Sequence, residues 1–259
     1  MTFPNHQVAA QSNATDSNSF SKFDQLHQLW ADVLKDVVVI DQNDSLVNYT
    51  ELKSHPTKLT QYLNTLSKLS YEQFSGFSKN QKLAFIINAY NSFTFLLIIQ
   101  HYPVQSIRDI ASPASPWKIK FVKLFGKLQS LDDIEHEMLA KWFDETRTHF
   151  ALVCAAKSCP ALKKTPYLAD HLNQELDHRA KEFLLDPKKN YYSITDNTFF
   201  LSSIFDWYQQ DFINKYGSVE KFVAPILIQG NSLPSQLSSK PSNIKYLNYD
   251  WSLNDFIAH

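Results

Sequence analysis

The chain has 259 residues, and its 25 basic and 26 acidic side chains give a formal net charge of −1. Hydrophobic residues make up 44% of the sequence and aromatic residues 14%, which is typical of a globular protein and too rich for disorder. A net charge near zero argues against nucleic-acid binding through bulk charge and against a polybasic membrane anchor. No nucleic-acid partner is therefore predicted.

Glycine is scarce: only Gly76, Gly126, Gly217 and Gly230 occur, and none lies within five residues of another. Phosphate-binding loops and dinucleotide-binding turns need clustered glycines, because the backbone must approach the phosphates closely. This spacing excludes both loop types, and no cofactor is predicted.

Residues 1–19 are rich in Asn, Ser, Gln and Thr, and their longest apolar run is Val8–Ala10. This segment is predicted to be disordered, and it lacks the apolar stretch of a signal peptide. The literal sequence predicts a cytoplasmic protein. A truncated N-terminus would fit a periplasmic or exported protein equally well, so both localisations remain open.

Helical spacing of apolar residues predicts helices over 24–39, 49–52 and 57–69. We interpret residues 20–69 as N-terminal helices that pack on a main domain spanning 70–259.

Ser78–Gln81 has the pattern of a capping box. It predicts that a long helix begins there and ends near Gln100. No charged residue occurs over 83–107, yet Asn88 and Asn91 interrupt this apolar stretch. Unpaired amides are costly in lipid. We therefore predict a buried central helix with both amides hydrogen-bonded internally, and no membrane span.

Alternating lysines predict a half-buried strand over 117–121, and Gly126 then allows a turn. A helix is expected over 131–143, a buried strand over 149–154, and an amphipathic helix over 167–185.

The remaining pattern predicts a hairpin over 191–201, a helix from Ser203 to a C-cap at Gly217, a helix over 219–228, a loop over 229–243 and a strand over 244–251. The predicted fold is a helix-rich single α+β domain with a small, mainly antiparallel sheet around the long buried central helix.

Glu135 falls inside the apolar stripe of the 131–143 helix when this helix is drawn at 100° per residue, and His136 lies at the edge of the stripe. A buried carboxylate needs a partner. The donor is expected from another element, with His149, Tyr90 and the amides after Cys154 as the candidates. Glu135 is either an acid or imidazole-orienting group, or a structural carboxylate.

Cys154 and Cys159 allow three interpretations: a nucleophilic thiol, two packed core thiols, or a local disulfide. A nucleophile needs an imidazole nearby to form its thiolate. His149 would be too far from Cys154 if both lay in one extended strand, at roughly 3.3 Å per residue, whereas His136 could reach it.

His171, Glu175 and His178 share one helix face, at a spacing that would allow metal ligation. This face is turned away from the apolar stripe, so we interpret it as solvated and predict no metal site.

Several motifs occur in the order found in DUF547, a domain family of unknown function in bacterial and plant proteins, which the chain resembles over roughly residues 70–255. The motifs are Asn88–Asn91, Ser130–His136, His149–Cys154, Ser158–Pro160, Leu201–Ser202, Trp207–Tyr208, Asp211–Phe212 and Tyr249–Asn254. The resemblance implies a shared fold and a recurring set of Glu135, His136, His149, Cys154 and Cys159, but no established reaction. Many bacterial members carry export signals.

The residues lead to a first hypothesis, a thiol-dependent hydrolase or transferase that acts on an amide or thioester of a small molecule or peptide. Cys159 or Cys154 would be the nucleophile, His136 the base and Glu135 its orienting group. The alternative is a non-enzymatic binding or scaffold module with a structural Glu/His/Cys cluster. A metal-binding protein using His136, Glu135 and a cysteine is a third hypothesis without diagnostic spacing.

Overall fold

The structure is a computed structural model that describes residues 22–42, 44–228 and 242–257. It confirms the α+β fold, with many helices and small sheets around a long buried central helix. The predicted disordered segment 1–19 and nearly all of the predicted loop 229–243 lie outside the described residues.

Helices occupy most of the described chain. They are α1 (Lys22–Leu26), α2 (Gln28–Val37), α3 (Tyr49–Ser54), α4 (Thr57–Lys68), α5 (Tyr71–Ser75), α6 (Lys79–His101), α7 (Ala140–Trp142), α8 (Leu172–Leu185), α9 (Ile204–Trp207), α10 (Gln209–Tyr216) and α11 (Val219–Leu227). Short 3-10 helices cover Ile107–Asp109, Pro116–Lys118 and Thr146–Phe150, and a π-helix covers Asp133–Leu139.

The strands form separate small sheets. They are β1 (Val38–Asp41), β2 (Asp44–Val47), β3 (Val122–Leu124), β4 (Lys127–Gln129), β5 (Tyr191–Ser193), β6 (Thr198–Ser202) and β7 (Asn243–Leu247). Strands β1 and β2, β3 and β4, and β5 and β6 pair antiparallel, while β7 adds to β6 in parallel. Gly126 supports the tight β3–β4 turn with a φ of +75°.

The central helix α6 begins with the predicted capping box: the Ser78 hydroxyl accepts from the Gln81 amide, and the Gln81 side chain accepts from the Ser78 amide. Its length and composition would allow it to cross a membrane, but 89% of its most apolar window is buried inside the protein. The helix is apolar on all faces because neighbouring elements surround it.

Two hydrophobic clusters fill the interior. The larger surrounds α6, where Trp30 and Tyr49 both pack on Phe95 with ring centroids 5.2 and 5.9 Å apart. The smaller lies under α8, α10, α11 and the three-stranded sheet, with Phe205 packed on Phe150 and Phe212. Phe150 thus belongs to the smaller cluster, whereas Ala151–Val153 belong to the larger.

The helix predicted over 24–39 is interrupted at His27 and ends at Val37. The β-branched run that follows forms β1 and pairs with β2, because such side chains favour an extended backbone. The strand predicted over 117–121 is also wrong. Pro116 opens a 3-10 turn there, and pairing begins only at Val122.

The strand predicted over 149–154 is absent, because this segment is a 3-10 helix up to Phe150 followed by a turn. The Asn91 side chain replaces a neighbouring strand: it donates to the Ala151 carbonyl and accepts from the Val153 amide, both at 3.0 Å. The segment is therefore bent, and the extended geometry that would keep His149 away from Cys154 is absent.

Asn88 acts in the same way on Tyr167, accepting from its amide at 2.9 Å and donating to its carbonyl at 2.8 Å. This confirms the prediction that Asn88 and Asn91 are hydrogen-bonded internally. It also holds Tyr167 outside the helix expected from that residue onward, so α8 begins only at Leu172.

Candidate functional site

A pocket of about 370 Å³ opens where the two hydrophobic clusters meet. A volume of this size lies within the range of small-molecule sites. The pocket is lined by Tyr90, Ser115, Trp117, Asp132, Glu135, His136, His149, Leu152, Val153, Cys154, Cys159, Pro160, Ile204, Trp207, Tyr208, Tyr249 and Trp251. All five residues singled out from the sequence are among them.

Glu135 lies on the π-helix and is half-buried in the pocket wall. The Tyr90 hydroxyl donates to its Oε2 at 3.2 Å, and the Tyr208 hydroxyl donates to its Oε1. Burial first, and the Glu135 charge second, raise the pKa of both phenols well above the ordinary value, so they stay protonated donors. The prediction of a donor from another element is confirmed for Tyr90.

His149 lies in the 3-10 turn Thr146–Phe150 with only 10% of its side chain exposed. Its Nε2 is 2.9 Å from Oδ2 of Asp211, and its ring stacks on Tyr208 at a centroid distance of 3.8 Å. Its Nδ1 is buried and has no hydrogen-bond partner among residues 22–42, 44–228 and 242–257.

The Asp211 carboxylate determines which nitrogen of His149 carries the proton. The hydrogen bond from His149 is the largest cause that lowers the Asp211 pKa below its ordinary value of 3.8, so Asp211 is ionised at neutral pH. An ionised carboxylate only accepts, and therefore Nε2 of His149 is the protonated nitrogen. In the neutral imidazole the Nδ1 lone pair is then available to act as a base.

Cys154 and Cys159 form a disulfide, with their Cα atoms 6.2 Å apart. This agrees with the local bridge that the sequence allowed. The Tyr249 hydroxyl lies 3.3 Å from Sγ of Cys154 and 3.4 Å from Sγ of Cys159. Cys154 is half-buried at the pocket, whereas only 5% of Cys159 is exposed.

The C-terminal segment holds the cysteine loop in place. The amides of Lys157 and Ser158 donate to the Ser252 and Asp250 carbonyls at 2.9 and 3.2 Å. These bonds fix the loop beside the segment that carries Tyr249 and Trp251, and both of these side chains therefore reach the pocket.

A continuous aromatic wall closes one side of the pocket. Trp251 contacts Trp117, Trp207 and Tyr249, with ring centroids 5.8, 5.5 and 4.6 Å apart. Trp207 also packs on Tyr249 at 4.8 Å, yet 48% of Trp207 remains exposed. Large exposed aromatic surface beside a cavity is typical of a binding site.

His136 lies at the rim, where 54% of its side chain is exposed and its Nε2 is 3.8 Å from Oδ1 of Asp132. Its side chain pairs with Asp132, whereas that of Glu135 accepts from Tyr90 and Tyr208, and both residues border the pocket, as expected. Asp132 and Glu135 bring two carboxylates to the pocket, whereas no lysine or arginine of the described chain lines it.

No group of three or more His, Cys, Asp or Glu side chains within the described ranges is arranged to hold a metal ion. On the helix face that carries His171, Glu175 and His178, Glu175 pairs with Lys163 and His178 pairs with Glu182.

Three residues of the site were missed as functional candidates in the sequence: Tyr208, Asp211 and Tyr249. Tyr208 and Asp211 are three positions apart at the α9–α10 junction, which places both beside His149. A polar pair at i and i+3 was a usable signal, but its target lies 62 residues away along the chain.

A family model described as "Protein of unknown function, DUF547" matches residues 74–184. The matched segment contains α6, the π-helix, His149 and both cysteines, and it ends before Tyr208 and Asp211. Neither a curated protein nor a solved structure matches the chain. The family-model match over residues 74–184 thus confirms the resemblance to DUF547 that the motifs predicted.

Proposed function

We propose that this protein is a thiol-dependent acyl hydrolase or transferase with Cys154 as nucleophile, His149 as general base and Asp211 as the group that orients His149. The observation that carries this proposal is the buried Nδ1 of His149, which has no hydrogen-bond partner in the described part of the chain, in a residue that lines the pocket together with both cysteines.

The roles follow from the general arrangement of a nucleophile, a base and a group that orients the base. Asp211 accepts from Nε2 and would stabilise the imidazolium that forms when Nδ1 takes the thiol proton. Stacking on Tyr208 restricts the His149 ring to one orientation. Supporting shells of this kind hold catalytic groups in the productive geometry.

We assign the base to His149 rather than to His136. His136 is more than half exposed, and its nearest carboxylate lies at 3.8 Å, which exceeds hydrogen-bond distance. Glu135 acts as a positioning residue in this scheme, because Tyr208 donates to Glu135 and stacks on His149. His136 would contact the substrate at the pocket rim.

The disulfide represents the resting form, and a dithiol reductant would activate the protein. Two electrons and two protons pass from the dithiol to the Cys154–Cys159 bond, which gives two thiols here and a disulfide in the reductant. Cys154 is the preferred nucleophile because it is the more exposed of the two.

The reaction then follows from these positions. Nδ1 of His149 takes the Cys154 proton, and the thiolate sulfur forms a bond to the carbonyl carbon of an amide or thioester. The bond to the leaving amine or thiol breaks, and His149 gives that group its proton. Water or an acceptor amine next attacks the acyl-enzyme, which releases the acyl product and restores the thiol.

A binding module is the second candidate, and the disulfide itself favours it. A permanent Cys154–Cys159 bond would be structural and would hold the pocket wall against the 250–254 segment. The pocket would then bind a ligand without reacting with it.

Alkylation of the reduced protein distinguishes the two candidates. After reduction with dithiothreitol and its removal, iodoacetamide at pH 6.5 should label Cys154 about tenfold faster than Cys159, because an ordinary thiol has a pKa near 8.5 and is mostly protonated there. His149→Asn should abolish this difference, whereas His136→Asn should keep it. Peptide mapping by mass spectrometry measures the rates.

Slow and equal labelling of both cysteines in a folded, reduced protein would contradict the enzyme and favour the binding module. Circular dichroism establishes that the reduced protein is folded. If reduction unfolds the chain, Cys159→Ser provides a protein in which Cys154 is free without any reduction step.

A further inference from the structure

The pocket combines an aromatic wall with two carboxylates that no lysine or arginine of the described lining neutralises. Trp117, Trp207 and Trp251 contribute ring faces at different angles, since Trp251 is inclined by 71° to Trp117 and by 24° to Trp207. Asp132 and Glu135 add carboxylates to the lining. Ring faces carry negative quadrupole potential, so every one of these groups attracts a cation.

We infer that this pocket binds a substrate through an alkylammonium group, which lies against the tryptophan wall and faces Glu135 and Asp132. This inference deepens the proposed function, on which it rests for the reaction, by naming the chemical class of the substrate. The acyl group of that substrate would point to Cys154 and His149, which line the same pocket.

Charge decides between a cationic and a neutral ligand. The oxygens of Glu135 already accept from two neutral phenols, which leave its charge in place. No lysine or arginine within the described part of the chain lines the cavity to neutralise it. A neutral sugar or an aromatic ring would stack on the tryptophans but would add no positive charge opposite the two carboxylates. An anion such as phosphate would be repelled.

A second contact shows that the wall already accepts a cation. The Arg108 guanidinium lies over the Trp251 ring, 5.3 Å from its centroid. Arg108 does not line the pocket. The indole system of this wall thus makes a cation–π contact within the protein, and the ligand would make the equivalent contact from the cavity.

Two pairs of probes test the inference on the oxidised protein. Choline is compared with 3,3-dimethylbutan-1-ol, which has the same shape and no charge. Nα-acetyl-lysine methylamide is compared with the norleucine analogue. We expect each cation to bind about tenfold more tightly than its neutral partner, as measured by NMR titration. If choline binds more tightly than the lysine derivative, the pocket prefers a quaternary ammonium; the reverse order indicates a primary ammonium.

Two variants test whether the cation binds in this pocket. Trp207→Leu and Glu135→Gln should each weaken cation binding by about tenfold. Trp142→Leu is the matched control: Trp142 is 42% exposed and packs on Phe74 away from the pocket, so binding should not change. Equal affinity for charged and neutral probes, or equal effects of Trp207→Leu and Trp142→Leu, would overturn the inference.

This experiment needs no free thiol, so its result is independent of the alkylation test. Fast labelling of Cys154 without cation selectivity would support the proposed enzyme and contradict the alkylammonium substrate. Cation selectivity without fast labelling would support the binding module, with an alkylammonium compound as its ligand.

Discussion

His149 has its two ring nitrogens in opposite surroundings, and this asymmetry is what makes it a candidate base. Nε2 is held by the Asp211 carboxylate, while Nδ1 is buried at the pocket without a partner among the described residues. Nε2 of the core residue His27 is likewise buried and without a partner among the described residues. His149 differs because it lines the pocket and is held by a carboxylate, and this position marks it as a candidate base.

Asp211→Asn tests this asymmetry. The amide cannot stabilise an imidazolium as a carboxylate does, so the thiolate–imidazolium pair becomes less favourable and the thiol pKa rises. In the reduced protein, the pH profile of Cys154 alkylation should move to higher pH. Asp206→Asn, an exposed change on the neighbouring helix α9, is the control. An unchanged profile in Asp211→Asn would exclude Asp211 as the orienting group.

Asn88 and Asn91 show how single side chains replace secondary structure. Each presents a donor and an acceptor to backbone outside helix α6, as a neighbouring strand would. Because buried backbone groups need partners, this pairing allows irregular chain to approach the core. The bend that brings His149 and Cys154 to one pocket depends on Asn91.

At the scale of elements, the π-helix Asp133–Leu139 changes which residues face the pocket. A π-helix has more residues per turn than the 100° wheel assumes. The predicted apolar stripe therefore holds for Leu131, Ile134 and Met138, which are buried, but not for Trp142 at its far end, which is 42% exposed. Glu135 faces the pocket rather than the core. Such π-segments occur often at functional sites.

The Glu135 carboxylate joins this π-helix to α6 through Tyr90 and to the end of α9 through Tyr208. Tyr90→Phe and Tyr208→Phe should each lower the free energy of unfolding by about 1.5–3 kcal/mol, the range for hydrogen bonds to charged groups. Urea denaturation measures this loss. Tyr192→Phe, whose hydroxyl donates to neutral Asn197, should cost less.

Tyr208→Phe has a second expected effect, because the ring still stacks on His149 but loses its anchor. Alkylation of reduced Cys154 should slow in this variant and remain unchanged in Tyr90→Phe. Equal rates of Cys154 alkylation in Tyr208→Phe and Tyr90→Phe would contradict the role of Glu135 as a positioning residue.

At the scale of the whole molecule, the protonation of His27 opposes folding in acid. Its ring is fully buried, with Nδ1 2.7 Å from the Tyr62 hydroxyl, and burial lowers its pKa to about 3. Between pH 6.5 and 3 the unfolded chain binds a proton here that the folded protein does not. Stability therefore falls as the pH falls through this window.

His27→Gln removes this titration. Between pH 6.5 and 4 the wild-type protein should lose about 1.4 kcal/mol of unfolding free energy per pH unit more than the variant. Urea denaturation at several pH values measures both slopes, and the comparison does not depend on their absolute stabilities. Parallel slopes would show that His27 is protonated in the folded state.

Local chemistry was readable directly from the sequence. The Ser78 capping box, the uncharged run of α6 and the left-handed C-cap at Gly217 each depend on neighbours within a few residues, and each occurs as predicted. The fold class and the resemblance to DUF547 over residues 74–184 follow from the same local patterns in order.

The assembly of the site was decided only by the tertiary structure. The contacts from Asp211 to His149 and from Tyr208 to Glu135 span 62 and 73 residues, and they depend on how the two hydrophobic clusters pack. Periodicity describes which face of an element is apolar, but it does not specify which distant polar group meets that face. The sequence by itself therefore determined the candidate residues, while packing decided that His149 has Asp211 and Tyr208 as its partners.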